Sequence, residues 1–331
     1  MSKVAINGFG RIGRATFKII EEKSQLQVAA INDLVPVDDL AYLLEHDTVY
    51  GRHPKNVKHE DGALLVDGER YPVLHEKDPA RLPWKDLGVD LVFECTGIFD
   101  KRKDLEKHLE AGARYVILSA PTKSDDIPTV VYGVNQADRS ERIVSCASCT
   151  TNCITPVVEI MGRRIGIKKS MMTTVHAYTA TQAIVDGPSK KFRRGRAGAA
   201  NFVPTSTGAA IATTKALPQY QGKFDGVAIR APIPVGSIGD MVFVTERPTT
   251  VEEVNAIFKD EAESEKYRGV LAVADDFVVS SDIIKTPHAS IVDLTLTQVV
   301  DGDLVKVMSW YDNEWGYASQ MVREALSFLQ E

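Results

Sequence analysis

The sequence is poor in the features that mark several large protein classes. No stretch approaches the roughly 18 consecutive apolar residues that a membrane-spanning helix needs. The start, MSKVAINGFGRIGR, has no charged region followed by an apolar core, so no secretory signal is expected. Basic residues are in deficit. The 39 Lys and Arg against 45 Asp and Glu give a net charge of −6, which argues against general affinity for nucleic acid or acidic membranes. Cysteine numbers only 4 in 331 residues, too few for a disulfide scaffold. Glycine (23) and proline (15) are modest and scattered, which argues against collagenous or disordered character. What remains is an ordinary globular composition, 44% hydrophobic and 25% charged, at a length that predicts about two domains. A reducing cytoplasm is the expected compartment.

The first half alternates short apolar runs with helical patterns. KVAIN (3–7), VAAIND (28–33), LVFECTG (91–97), YVILSA (115–120), VVYGVN (130–135) and IVSCAS (143–148) read as strands. Several are apolar almost throughout, as strands covered on both faces of a parallel sheet are. Helices are predicted at 11–22, 38–45 and 101–111, and a hairpin insert at 56–75 around an Asp-Gly turn. This rhythm predicts a doubly wound α/β sheet. In the second half a long helix is predicted from about Thr150 to Arg164. It is followed by the β-rich runs KSMMTTVHAYT, FDGVAIRAP, SIGDMVFVTE, ASIVDLTLTQVV and LVKVMSWY. With helices at 208–216 and 250–265, this half reads as an α+β domain with a mainly antiparallel sheet.

Two constellations carry chemistry. Gly8-Phe9-Gly10-Arg11-Ile12-Gly13 follows a strand and opens a helix, and a second strand ends in Asp33. That is the context of a dinucleotide fingerprint. Gly8 permits the tight turn, Gly10 the approach of a pyrophosphate, and Gly13 close helix packing. The N–H groups near Arg11 and Ile12 face the phosphates. Asp33 binds the adenosine ribose hydroxyls and repels a 2′-phosphate, which predicts NAD rather than NADP. The second constellation is SCASCTTNC (145–153). There Cys149 stands where a strand ends and a helix begins, a position that favours the thiolate and stabilises an oxyanion. His176 is the candidate base. A CxxC redox pair at Cys146 and Cys149, or metal held by Cys146, Cys149 and Cys153, are the rival readings. With one CxxC and no histidine nearer than His176, neither is favoured, and no metal is expected.

Six segments then point to a family: INGFGRIGR (6–14), SCASCTTNC (145–153), TVHAYTATQ (174–182), DGPS (186–189), PTSTGAA (204–210) and WYDNEWGYA (310–318). Spread in order over nearly the whole chain, they resemble phosphorylating glyceraldehyde-3-phosphate dehydrogenase. The resemblance implies a Rossmann domain at 1–149 completed by a C-terminal helix at 313–331, a catalytic domain at 150–312, and a homotetramer. It implies Cys149 as nucleophile and His176 as base. Ser148, Thr150, Thr207 and Gly208 resemble the attacking-phosphate site, and Thr179 and Arg230 the substrate-phosphate site. Asn313 resembles the residue that fixes the nicotinamide carboxamide, with Tyr317 nearby, and Thr96 and Ser119 match positions lining the cofactor cleft. The implied substrates are glyceraldehyde 3-phosphate, inorganic phosphate and NAD.

Three features depart from the family pattern. Cys146 stands where asparagine is usual, Lys77 where arginine usually touches the adenine side, and IPVGSIGDM (233–241) replaces the usual TPNVSVVDL. Residues 146–148 read as extended, which would keep Cys146 out of disulfide reach of Cys149 and make it a buried space-filler. The basic run KKFRRGR (190–196) fits a phosphorylated substrate and subunit contacts better than nucleic acid. Two other activities are weighed: an erythrose-4-phosphate dehydrogenase that releases a free acid, and a non-catalytic binding protein on the same fold. The intact phosphate residues argue against the first, and the retained Cys149, His176 and glycine loop argue against the second.

Overall fold

The computed structural model describes residues 1–23, 25–138 and 140–329. Its chain divides into two units. One comprises 1–130, 136–147 and 321 onward, the other 131–135 and 148–320. Residues 330 and 331 of the C-terminal segment lie outside the described residues.

The first unit contains β1 (Ser2–Asn7), α1 (Arg11–Lys23), β2 (Leu26–Asn32), α2 (Val37–Glu45), β3 (Val57–Glu60), β4 (Ala63–Val66), β5 (Glu69–Leu74), α3 (Trp84–Leu87), β6 (Leu91–Glu94), α4 (Arg102–Glu110), β7 (Tyr115–Leu118) and β8 (Ile143–Ser145). They form a sheet in the order β3-β4-β5-β2-β1-β6-β7-β8. From β5 to β8 every pairing is parallel, and β3 and β4 are antiparallel. Strands β1 and β6 are apolar because helices cover both faces of the sheet. Val4, Ala5, Ile6, Leu91, Val92 and Phe93 have no exposed surface. The hairpin between β4 and β5 turns at Asp67-Gly68, both left-handed at φ 49° and 84°, the geometry that a two-residue Asp-Gly loop supplies.

One expected strand is absent. VVYGVN does not extend the sheet. Among the described residues only a single bridge, Thr129 to Ser145, forms there. The segment instead turns: the Val131 N–H donates to the Asn135 side chain at 2.9 Å and the Val134 N–H to the Val131 carbonyl at 2.9 Å. Its apolar side chains anchor that turn, with Tyr132 and Val134 packed on the core of the second unit.

The second unit contains α5 (Cys149–Arg164), β9 (Ile167–Ala177), β10 (Val203–Ser206), α6 (Ala209–Ala216), β11 (Phe224–Ala231), β12 (Ser237–Thr245), α7 (Val251–Glu263), β13 (Leu271–Ala274), β14 (Ser290–Asp293), β15 (Gln298–Val300), β16 (Leu304–Tyr311) and α8 (Trp315–Leu329). Helix α8 begins here and from Met321 onward belongs to the first unit. The sheet runs β10-β11-β9-β12-β16-β14-β13, with β15 also on β16. Pairs β9–β11 and β13–β14 are parallel and the rest antiparallel. ASIVDLTLTQVV, a β-rich run in the sequence, is broken at Asp293, whose carboxylate accepts the Thr295 N–H at 3.1 Å and bends the chain out of the ladder. Helix α5 is buried along most of its length, and Ile154, Val157, Val158 and Met161 are fully covered. The helix that carries Cys149 is thus fixed within the core.

Within the first unit, the Glu324 carboxyl of α8 is 5% exposed. Burial pushes it up to about 7 from an ordinary 4.5. Between those values the folded chain holds a proton that the unfolded chain lacks, so stability is lost as pH rises through that window. Glu324→Gln should therefore raise the unfolding temperature at pH 8, by an amount equivalent to at most about 3 kcal/mol. The gain should vanish at pH 5. Thermal unfolding at the two pH values checks it, and an equal effect at both would refute it.

Candidate active site

In the first unit, the residues expected to hold a dinucleotide gather at the carboxyl ends of the parallel strands. Asp33 follows β2, Lys77 follows β5, Gly8 to Gly13 follow β1, Thr96 follows β6 and Ser119 follows β7. Strand β1 lies between β2 and β6, so the loop sits where the winding of the sheet reverses, the usual place for a ligand crevice. Gly8 has φ 93°, and a Cβ there would stand 2.6 Å from the Thr96 nitrogen. A Cβ at Gly13 would stand 2.1 Å from the Gly8 carbonyl oxygen, whereas at Gly10 nothing lies within 4 Å. The loop is therefore closed against protein at its two ends and open in the middle. No acidic residue stands in the first turn of α1 itself.

Individual side chains are held as follows. Asp33 accepts the Phe9 N–H at 2.6 Å and the Val35 N–H at 3.0 Å, one on each carboxylate oxygen. Arg11 pairs with Asp47 at 2.7 Å, so its guanidinium is engaged within the protein, while Ile12 is half-buried in the first turn of α1. Lys77 is exposed, and the main chain of its neighbour Glu76 is gripped by Asn32 through two contacts of 2.9 Å. The Ser119 hydroxyl bonds the Cys95 thiol.

Beneath this crevice lies a buried polar floor that motif reading misses. The Trp84 indole N–H can only donate, and it reaches His108 Nδ1 at 3.0 Å. The His108 proton therefore sits on Nε2 and points at Glu94 Oε2, 3.1 Å away. Glu94 also accepts from Asn7 at 2.5 Å, from the Thr96 N–H at 2.8 Å and from the Thr96 hydroxyl. Asn7 in turn accepts from Asn32 at 2.7 Å. One fully satisfied carboxylate thus ties the ends of β1, β2 and β6 together. Its only trace in the sequence is a polar residue closing each apolar strand.

In the second unit, Ser148 caps α5 by accepting the Thr151 N–H at 3.1 Å. The cap starts the helix at Cys149. His176 stands one residue before the end of β9, and its Nε2 lies 3.3 Å from Cys149 Sγ. The sequence placed Cys149 where a thiolate is favoured, but burial dominates and pushes the thiol up; Arg230 and the N–H of Thr150 pull it down less strongly. Burial and the nearby Arg230 charge push His176 down to about 3. The pair therefore rests as thiol and neutral imidazole.

Parallel register sets Arg230 of β11 directly beside His176 of β9. Among the described residues no carboxylate pairs with Arg230, and its Nε has no hydrogen-bond partner. Thr179 and Thr181 share a 2.9 Å hydroxyl contact, and Arg194 reaches Thr181 at 3.4 Å and Thr205 at 3.1 Å. Thr181 and Arg194 were not singled out from sequence, although Arg194 lies in the basic run. Thr207 accepts the Ala209 N–H at 3.1 Å next to Gly208, the residue that opens α6. Ser237 accepts the Ala177 N–H at 3.1 Å and donates to the Asn313 side-chain oxygen at 2.9 Å. Tyr317 is buried in the first turn of α8. Sequence reasoning also missed Tyr311, fully buried, whose hydroxyl joins those of Thr150 and Thr174 at 2.8 Å each and whose ring packs edge-on to His176.

The cysteines are all free thiols. Among the described residues no group of three His, Cys, Asp or Glu side chains could hold a metal ion. Cys146 is 4% exposed. The extended path expected for 146–148 is not observed: β8 ends at Ser145 and Ala147 is left-handed, φ 53°. The Ser145 hydroxyl accepts the Ala147 N–H at 3.1 Å and holds that bend.

A doubly wound sheet with a glycine-lined crevice in one unit, and in the other a half-buried cysteine that meets a histidine, define a dinucleotide-binding protein with a thiol–imidazole centre. The family model of the glyceraldehyde 3-phosphate dehydrogenase NAD binding domain matches residues 2–102, and that of the C-terminal domain matches residues 148–313. The chain is 50% identical over 326 residues to glyceraldehyde-3-phosphate dehydrogenase of Thermotoga maritima, covering 97% of each. To the enzyme of Streptomyces coelicolor it is 47% identical over 324 residues, covering 97% of this chain and 96% of the relative. To that of Geobacillus stearothermophilus it is 47% identical over 323 residues, with the same coverage. The chain belongs to the glyceraldehyde 3-phosphate dehydrogenase family.

Proposed function

We propose that this protein oxidises glyceraldehyde 3-phosphate to 1,3-bisphosphoglycerate with NAD and inorganic phosphate, through a thioester on Cys149. The observation that carries this reading is the 3.3 Å contact between Cys149 Sγ and His176 Nε2 at the N-terminus of a buried helix, in a chain of this family. The Cys149 sulfur adds to the aldehyde carbon, and its proton leaves through His176 to the new hydroxyl. His176 then takes the hydroxyl proton as the carbon gives up hydride, leaving the thioester. Bound NAD supplies the hydride acceptor. Phosphate oxygen attacks the thioester carbon and the Cys149 thiolate departs. Developing negative charge on the carbonyl oxygen falls at the N–H groups that open α5. Arg230 and Thr179 take the substrate phosphate, and Ser148, Thr150, Thr207 and Gly208 the attacking phosphate. Asn313, its oxygen already engaged by Ser237, offers its amide hydrogens to the nicotinamide carboxamide, with Tyr317 beside it.

The first unit supports NAD as the partner. The loop is open at Gly10, where a Cβ would meet nothing within 4 Å, and Asp33 keeps a lone pair on each oxygen for the ribose hydroxyls, with Lys77, Thr96 and Ser119 around it. Asp33 sets a negative charge against a 2′-phosphate. The ratio of kcat/KM for NAD over NADP should therefore be roughly tenfold or more, and Asp33→Ser should narrow it. Equal values in the unsubstituted enzyme would contradict the assignment.

The assembly that this reading favours is a homotetramer working in the cytoplasm. No helix among the described residues is long and apolar enough to cross a membrane. Phe192, Ile184, Val185 and Phe202, in and beside the basic loop, are 70% exposed or more. Side chains of that size ask for a covering surface, and a second copy supplies one.

A further inference from the structure

The polar floor of the first unit holds a charge that nothing beside it neutralises. Glu94 has no exposed surface, and its two oxygens face four donors. The direction of each bond is fixed from the ends of the network inward. At one end the Trp84 indole N–H, which can only donate, occupies His108 Nδ1 at 3.0 Å. That leaves no place for a second proton on the ring. His108 is therefore neutral, and its Nε2–H points at Glu94 Oε2, 3.1 Å away.

At the other end the Glu76 N–H donates to the Asn32 side-chain oxygen, and the Glu76 carbonyl accepts from the Asn32 amide, at 2.9 Å each. The same amide reaches the Asn7 oxygen at 2.7 Å, which leaves the Asn7 amide to donate to Glu94 Oε2. On Oε1 the Thr96 N–H donates at 2.8 Å. The Thr96 hydroxyl accepts the Ile98 N–H at 3.1 Å and gives its own hydrogen to Glu94. A protonated carboxyl needs an acceptor, and every partner here is a donor. Glu94 is thus a carboxylate, and its ion-pair partner among the described residues is the neutral His108.

Glu94 closes β6, and β1 separates β6 from β2, the strand that leads to Asp33. A doubly wound sheet holds the two halves of a dinucleotide on opposite sides of its switch point. With Asp33 on the adenosine ribose, β6 lies under the nicotinamide half.

We propose that Glu94 sets the preference of this crevice for the oxidised over the reduced cofactor. NAD carries a positive nicotinamide ring and NADH a neutral one, while the pyrophosphate bears the same charge in both. A fixed negative charge in the floor attracts only the oxidised ring. Its repulsion of the pyrophosphate cancels between the two forms. The charge therefore favours capture of NAD and departure of NADH. The inference rests on the reading of Asp33 as the ribose contact.

The test is the ratio of the NADH to the NAD dissociation constant, measured by calorimetry on the full enzyme. Glu94→Gln removes the charge and keeps the length of the side chain. The ratio should fall by about threefold or more, since at an effective dielectric near 20 a unit charge is worth about fourfold even at roughly 20 Å. His108→Gln is the control. Its amide serves Trp84 and Glu94 as the imidazole does, so the network is disturbed, the charge stays, and the ratio should hold. Because Glu94→Gln sets an amide against donors, a second route keeps Glu94: Trp84→Phe combined with His108→Lys places an ammonium beside the carboxylate. There too the ratio should fall. If both constants move together at an unchanged ratio in these two charge-neutralised enzymes, Glu94 only ties the strand ends and the proposal is overturned. Asp33→Ala that weakens neither form would instead overturn the placement of the adenosine half.

Discussion

Cys149→Ser is expected to lower turnover with glyceraldehyde 3-phosphate by several orders of magnitude while leaving NAD binding largely intact. The residue opens α5, and its sulfur faces both His176 and the first N–H groups of the helix. A serine hydroxyl keeps the shape but is far harder to deprotonate than a thiol, so addition to the aldehyde slows at its first step. Of the residues proposed to hold NAD, all but Asn313 and Tyr317 lie in the first unit, and the Ser237 hydroxyl that holds Asn313 is untouched in this variant. Steady-state rates and an NAD binding isotherm check the two halves of the expectation. Near-full dehydrogenase activity in Cys149→Ser would refute a covalent mechanism.

His176→Asn should cost on the order of 10²–10⁴-fold in turnover, the range of a well-placed general base. Burial and Arg230 hold the imidazole neutral with its protonation pushed down to about 3, so near pH 7 it serves as a base and not as a cation that stabilises a resting thiolate. Two effects on pH follow. Alkylation of Cys149 by iodoacetamide should accelerate as pH rises above neutrality, because burial pushes that thiol up. It should not show a thiolate plateau below pH 6, where an imidazolium partner would place one. Such a plateau would mean that the resting pair is charged and that His176 acts differently.

Much of this molecule is legible in its sequence, for reasons that can be located. Strands β1, β6 and β7 are apolar on both faces because helices cover them, and such runs can be recognised without knowing their partners. The glycine loop and Cys149 are legible because their chemistry needs particular residue types at fixed spacing. VVYGVN misleads because its apolar side chains anchor a turn, and hydrophobicity alone does not separate the two uses. Strands β10 and β13, four residues each, owe their existence to neighbours far away in the chain. The hydroxyl relays escape for the same cause. Ser237 and Tyr311 face each other only through the antiparallel register of β12 and β16. Arg230 meets His176 only through the parallel register of β11 and β9. The left-handed Ala147 is likewise a tertiary outcome, stabilised by Ser145, and no local signal announces it.

The central claim is that a Cys149 thioester is resolved by phosphate, and the phosphate dependence of NADH formation tests it most directly. With glyceraldehyde 3-phosphate, NAD and no inorganic phosphate, the enzyme should release a burst of about one NADH per active site and then nearly stop, because water attacks the thioester slowly. Adding phosphate should restore continuous turnover and yield an acyl phosphate. Continuous turnover at the same rate without phosphate, yielding the free acid, would contradict the account.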